Sequence, residues 1–190
     1  MQRLNGGAMP AGRAIGRGGE PGQVVVVRLA YGDLLLESLR EICRREGIRN
    51  GLILTGFGSL TDLCVSGVVG PEFPPGRFYK RKRPRGVEIV GMAGVIADYH
   101  VHCHVTLCDR HGAFGGHLEE GCRVLSLAEI AIMKLGRLKM RRVLDQATGQ
   151  KLLQVVSRYD DSVVDQEGSL AAVEARLTRR TRAVKPARGT

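Results

Sequence analysis

Tryptophan is absent from this chain of 190 residues, and Phe and Tyr together make only 4% of it. The aromatic platforms on which unpaired bases stack are therefore nearly missing, which argues against single-strand nucleic-acid binding by stacking. No apolar run approaches the roughly 20 residues of a membrane-spanning helix. The opening stretch MQRLNGGAMPAGRAIGRGGEPGQ lacks an apolar segment long enough for a signal peptide. These two absences lead us to expect a soluble, cytoplasmic protein with no membrane partner. The five cysteines (Cys43, Cys64, Cys103, Cys108 and Cys122) are odd in number and form no CxxC pair. That excludes a zinc knuckle and suits reduced, buried thiols. Gly56-Phe57-Gly58-Ser59 has the look of a phosphate loop, but no helix follows and no GK[ST] closes it, so it reads as a tight connection between strands.

Acidic residues are also in short supply: 29 Lys and Arg face 19 Asp and Glu, for a formal net charge of +10. Such an imbalance attracts a polyanion such as nucleic acid, an acidic membrane surface or an acidic protein, and names a class of partner; double-stranded DNA would be met through the basic loops and tails. The sharpest basic run contains Lys80, Arg81, Lys82, Arg83 and Arg85, flanking Pro84 and Gly86. Cations around a proline and a glycine suit minor-groove contacts, while a solvated loop or charged edge strand is the plainer reading. A second group, Arg137, Lys139, Arg141 and Arg142, alternates in part, as the outer face of a strand would.

Composition divides the chain into a Gly/Arg-rich disordered arm over 1–22, one domain over 23–156 and a basic tail over 157–190, helical in part from Ser169 to about Arg182. Within the domain, Val24 to Leu29 reads as a buried strand, followed by a helix that Asp33 would cap. Leu35, Leu39, Ile42 and Cys43 mark the inner side of that helix, and Gly47 ends it. Strands are expected at Leu52 to Thr55, Asp62 to Val69 and Val87 to Ile96, with a turn at Asp145 to Gly149 before a last strand in QKLLQVV. CRVLSLAEIAIMKL fits helical spacing or a buried strand equally well.

All five histidines lie between Tyr99 and Gly121, in YHVHCHVTLCDRHGAFGGHLEEG. Val101 to Cys108 alternates as a strand, so His100, His102, His104, Thr106 and Cys108 share one face and Val101, Cys103, Val105 and Leu107 the other. Asp109 to Gly112 is a hairpin turn that sets Cys108 opposite Ala113, hence His104 opposite His117 and His102 opposite Glu119. A bulge at Gly115-Gly116 would re-aim His117. Two histidines at i and i+2, with a third on the neighbouring strand, bring three ring nitrogens within reach of one divalent ion, zinc by preference. His102, His104 and His117 are the candidate ligands, Glu119 is a candidate fourth ligand, second-sphere partner or general base, and His100 a second-sphere candidate. His111 sits in the turn as a surface residue.

VRLAYGD, GIRNGLILTGFGSLTD, HCHVTLCDRHGAFGGHLEEG and LDQATGQKLL resemble, in order and spacing, the plants-and-prokaryotes-conserved (PPC) domain family, over about Val24 to Leu153. The most specific part is HxHxxLxD followed by GGHLxEG. The resemblance implies an α/β (α+β) domain, with a mostly antiparallel sheet of six or seven strands packed with one or two helices. It also implies a homotrimer and places a strand at CRVLSLAEIAIMKL. His102, His104 and His117 fall on histidine positions that resemble a metal site in prokaryotic members, whereas Glu119 falls where a hydrophobic residue is common. Prokaryotic members are usually described as candidate DNA-binding proteins, so nucleoid association is expected if DNA is bound. Plant members add AT-hooks, which this chain lacks. The alternative is a metal-dependent, hydrolase-like enzyme in which His102, His104 and His117 hold an ion that activates water. With no paired nucleophile and no cofactor fingerprint, the non-enzymatic reading is preferred.

Overall fold

The computed structural model describes residues 15–73, 75–82, 86–146 and 149–159. Residues up to 157 group as one unit. The tail from Asp160, including the expected helix from Ser169, lies outside the described residues, as does the arm up to 14. The arm does not reach 22, because the first strand, β1 (Glu20–Ala30), begins before that boundary.

α1 (Leu35–Arg45) follows β1 and is the one helix among the described residues. Leu35, Leu36, Leu39 and Cys43 form its buried stripe. Glu37 in the first turn and Arg44 and Arg45 in the last complement the helix dipole. Asp33 is not its cap: the helix has no side-chain cap, and Asp33 Oδ2 instead accepts from Ala30 N–H at 2.8 Å, closing the turn before the helix. Gly47, at φ 64°, ends the helix as expected, with Ile48 N–H donating to the Cys43 carbonyl at 2.7 Å.

The strands are β2 (Asn50–Val68), β3 (Arg77–Lys82), β4 (Val87–Ala97), β5 (His100–Asp109), β6 (Gly112–Leu118), β7 (Arg123–Gly136), β8 (Met140–Asp145) and β9 (Gln150–Val155). Among the described residues seven strands make an antiparallel sheet in the order β1-β7-β2-β4-β5-β6. β3 pairs with β2, and a further pairing joins β2 to β6. β8 and β9 form a separate hairpin. The stretch with two possible readings is a strand, β7, pairing β1 on one side and β2 on the other.

A further expected feature is overturned. Gly56 to Ser59 is not a turn between two strands: β2 runs unbroken through it for 19 residues. The glycines serve close approach instead. A Cβ on Gly56 would lie 2.6 Å from Met92 Sδ, and one on Gly58 2.6 Å from Ala128 Cα. The register of β2 against β7 shifts between Gly58 and Leu60, so the strand bends there without ending. β2 bends far enough for its first half to pair β4 and β7 and its second half β3 and β6.

The core lies between α1 and one face of the sheet, with Leu35, Leu39, Leu60, Leu107 and Ile132 all at 0% exposure. Along β5, Val101, Cys103, Val105 and Leu107 face this core, as the alternation predicts. The other sheet face is apolar but uncovered. Val24, Val26, Leu54, Phe57 and Leu127 are all exposed there, Val26 at 78%. None of the cysteines is in a disulfide, and all but the half-buried Cys108 are buried.

Candidate functional site

The histidine hairpin has the register its sequence predicts. Asp109 pairs with Gly112, Cys108 with Ala113 and His104 with His117, without a shift at Gly115-Gly116. Asp109 Oδ1 accepts from the His111 N–H at 2.9 Å and closes the turn, and His111 is exposed there. β6 then does something the hairpin alone does not dictate: it is also held from the other side by β2, with Val65 opposite Leu118 and Ser66 opposite His117. Gly116 makes room, since a Cβ there would sit 2.6 Å from the Ser66 carbonyl oxygen. The expected pairing of His102 with Glu119 is not made. β6 ends at Leu118, and Glu119 N–H donates to the Cys64 carbonyl at 3.1 Å.

His102, His104 and His117 come together. Ring centroids are 5.4 Å apart for His102 and His104, 4.7 Å for His102 and His117 and 5.4 Å for His104 and His117. With Zn–N near 2.0–2.1 Å, three imidazoles arranged tetrahedrally round one zinc ion have centroids about 5 Å apart. The spacing therefore suits a shared ion. The His117 ring stands at 79° to His102 and 84° to His104. As the side chains stand, no group of three or more His, Cys, Asp or Glu among the described residues is set to hold a metal. Rotation about χ2, a soft torsion in histidine, is what would turn the nitrogens inward.

His117 Nδ1 is buried without a hydrogen-bond partner. Glu119 Oε1 lies 3.2 Å away, close enough to attract but not aligned to accept. That carboxylate is held in place by Ser66 Oγ, which donates to it at 2.5 Å, and by Arg77 Nη2 at 3.6 Å, itself donating to Ser66 Oγ at 2.6 Å. Glu119 thus acts through His117 and not as a fourth member of the triad. Burial, with the positive charge of Arg142 and the neighbouring imidazoles, pushes His102 down to about 4. Burial also lowers His117, partly opposed by Glu119. His102 is accordingly neutral at pH 7, as a metal ligand must be. His100 stands one step outside the ring triangle, opposite Ala97 on β4.

Sheet register relates this site to the open face. Val24, Met133, Leu52, Val95 and His102 form one continuous cross-strand row over β1, β7, β2, β4 and β5. Directly opposed residues share a face, so the histidines lie on the uncovered side of the sheet.

The basic run falls partly on β3. Arg81 is exposed, but Lys80 folds back with its ammonium 3.8 Å from the centroid of the Phe114 ring. Arg83, Arg85 and the side chain of Lys82 lie outside the described residues. The second basic group is not the outer face of a strand. Arg137 sits in a turn at φ 53°, Arg141 pairs with Asp98 at 2.8 Å, and Arg142 is half-buried. Sequence reasoning missed Ser66, Arg77 and Arg142, because each reaches the site through pairing of residues distant in the chain.

Similarity to known proteins fits this architecture. A plant- and prokaryote-conserved protein of Pyrococcus horikoshii is 24% identical, with 76% of this chain and 100% of that one covered at a TM-score of 0.64. A metal-containing protein of Archaeoglobus fulgidus is 24% identical, with 72% and 96% covered at 0.61. A candidate DNA-binding protein of Bacteroides thetaiotaomicron is 19% identical, with 72% and 96% covered, also at 0.61. At these identities the likeness speaks for the fold. A bifunctional protein GlmU of Synechococcus sp. (strain JA-2-3B'a(2-13)) is 29% identical over 134 residues, or 68% of this chain. The chain spans about 20% of the length of the curated relatives it matches. The model of the Plants and Prokaryotes Conserved (PCC) domain matches residues 16–136, from just before β1 to the end of β7. With the seven-stranded sheet, its single helix and the GGH strand inside that match, the chain belongs to this family.

Proposed function

We propose that the chain is a DNA-associated homotrimer in which each subunit holds one divalent metal ion, zinc, between His102, His104 and His117. The observation that carries the reading is the division of the sheet. One face is apolar, uncovered and continuous with the histidines, while β3, a cationic strand, lies beside it on the far half of β2. An open apolar sheet face of this kind marks an interaction surface. Closing it between three copies gathers three β3 strands on one particle, so that weak phosphate contacts gain avidity. Structural neighbours described as candidate DNA-binding proteins and as a metal-containing protein support the DNA and metal parts of this reading.

The donor set fits zinc: three imidazoles at compatible spacing, with the Glu119 carboxylate 3.2 Å from His117 Nδ1 to orient that ring from behind. Bound there, zinc would tie β5 to β6 and offer a Lewis-acidic position to a further ligand. His102, pushed down to about 4 mainly by burial, need release no proton to bind it, and burial moves His117 in the same direction.

Metal analysis of untagged protein tests the site. Close to one zinc per chain is expected in the wild type, and almost none in the His104→Ala, His117→Ala double variant. A wild type that stays metal-free after incubation with zinc would remove the metal from the reading. DNA association is tested separately by salt titration on a short duplex. Log K should fall linearly with log salt, with a slope of about −0.9 per phosphate contacted, and should depend little on base sequence. Arg81→Gln with Lys82→Gln should flatten that slope by about one for each phosphate no longer neutralised. No association at low ionic strength would refute the DNA reading while leaving the metal result standing.

A further inference from the structure

A run of short contacts joins the cationic strand to the histidines. Arg77 Nη2, at the start of β3, donates to Ser66 Oγ at 2.6 Å, and Ser66 Oγ donates to Glu119 Oε1 at 2.5 Å. The same carboxylate oxygen lies 3.6 Å from Arg77 Nη2 and 3.2 Å from His117 Nδ1. Register puts these groups on one side of the sheet. Tyr79 of β3 lies opposite Ser66 of β2, Ser66 opposite His117 of β6, and His117 opposite His104 of β5. Arg77 and Arg81, two residues either side of Tyr79, share that side by alternation. Both are exposed, on a strand that pairs only with β2 among the described residues, so both are open to a phosphate backbone.

Glu119 is the shared member of this run. Its N–H donates to the Cys64 carbonyl at 3.1 Å, and Ser66 is at 0% exposure, so its backbone and its hydroxyl partner are both fixed. The groups left with freedom are the carboxylate itself, the exposed Arg77 guanidinium and the His117 ring. Arg77 and His117 draw on one oxygen, and what either gains in holding it the other loses. As the ring stands, Nδ1 makes no hydrogen bond. A histidine that ligates a metal through Nε2 carries its proton on Nδ1, and such rings almost always donate that proton to a carboxylate, a carbonyl or water. Glu119 is the carboxylate within reach. Its turn towards His117 loosens the hold on Arg77, whose planar fork then suits a phosphate. A phosphate that draws Arg77 away works in reverse and leaves Glu119 to His117.

We propose that metal binding by the histidine triad and phosphate binding by β3 are coupled through Glu119, each strengthening the other, so that the hold on DNA responds to metal. The inference deepens the proposed function and rests on both its DNA and its metal parts. Linkage makes the coupling reciprocal: the factor by which metal tightens DNA binding equals the factor by which DNA tightens metal binding.

The test is a binding cycle on the full-length, untagged protein at one low ionic strength. Affinity for a short DNA duplex is measured by fluorescence anisotropy with and without saturating zinc, and zinc affinity by competition with a chromophoric chelator with and without saturating duplex. Zinc should tighten duplex binding by the wild type at least about 5-fold, and the duplex should tighten zinc binding by the same factor. Glu119→Gln, measured at zinc concentrations that still fill its three-histidine site, should bring both factors close to one. Arg77→Gln, on the exposed edge strand, should do the same, and it carries the result if the Glu119 variant does not fold. A factor of one in the wild type, or a factor that persists unchanged in both variants as a general effect of added charge, would overturn the inference. Wild type that binds zinc and duplex independently would thus remove the coupling and leave the proposed function standing. Failure to bind one of the two at all, seen in the single-ligand titrations, would end that part of the proposed function and the coupling with it.

Discussion

If the proposed trimer closes on the open sheet face, a Val26→Glu, Phe57→Glu double variant is expected to sediment as a monomer of about 20.6 kDa at concentrations where the wild type is expected to sediment as a trimer. Both side chains stand on the uncovered sheet face, Val26 78% and Phe57 50% exposed. Phe57 lies opposite Glu129, which lies opposite Arg28, so β1, β7 and β2 present these residues together. Neither substitution disturbs the core, because that is built from the opposite side of the same strands. In the assembled protein each glutamate would be buried without a partner, costing on the order of 2–4 kcal/mol each. Two per subunit is enough to move association out of the micromolar range. Sedimentation equilibrium over a wide concentration range is the measurement, with far-ultraviolet circular dichroism to show that the variant is folded. A wild type that is monomeric at 100-micromolar concentration would end the trimer reading outright.

Gly58→Ala is expected to cost about 3–5 kcal/mol, a large share of the roughly 5–15 kcal/mol that holds a domain of this size folded. Two effects coincide. Gly58 has φ 149°, which side-chain-bearing residues rarely adopt, and its added Cβ would meet Ala128 Cα at 2.6 Å. That neighbour is the backbone of β7 in the middle of the sheet, so it has no room to retreat. Gly67 provides the contrast. A Cβ there would also be crowded, at 2.8 Å, but by the ring of Phe78, an exposed side chain free to swing away. Gly67→Ala should cost less than about 1 kcal/mol. Urea unfolding of the two variants separates these cases, and similar midpoints would show that the Gly58 contact relaxes easily.

What the chain's pattern discloses depends on how far apart the interacting residues are. The histidine hairpin is local: Asp109-Arg110-His111-Gly112 makes a two-residue turn, alternation selects the face, and the opposition of His104 and His117 follows by counting. The same local reasoning misjudges β2. Gly56 and Gly58 look like turn residues, yet their smallness is needed by Met92 and Ala128, whose positions depend on strands formed some thirty and seventy residues later. Ser66 and Arg77 are invisible as site residues for a similar reason, since the pairing of β2 with β6 joins two segments about fifty residues apart. Glu119 is legible as a neighbour of the site but not in its role. Counting along the hairpin sets it opposite His102, whereas the end of β6 at Leu118 turns its carboxylate back toward His117 and Ser66. Arg142 follows the same rule: a partial alternation of charges suggests a solvated face, while the Arg141–Asp98 pair anchors the strand and turns that face inward.

The unbroken run of β2 also has a consequence for synthesis. This strand leaves the ribosome early, but the partners that cover its two edges, β4, β6 and β7, follow over the next seventy or so residues. At roughly 5–20 residues per second, that is several seconds in which a nascent chain carries a long apolar strand with at least one edge incompletely paired. Such an edge is a template for pairing with another chain. The nascent protein is thus most open to aggregation and to chaperone capture from the emergence of Val68 until that of Gly136, and its folding as a single cooperative unit awaits the last residues of β7.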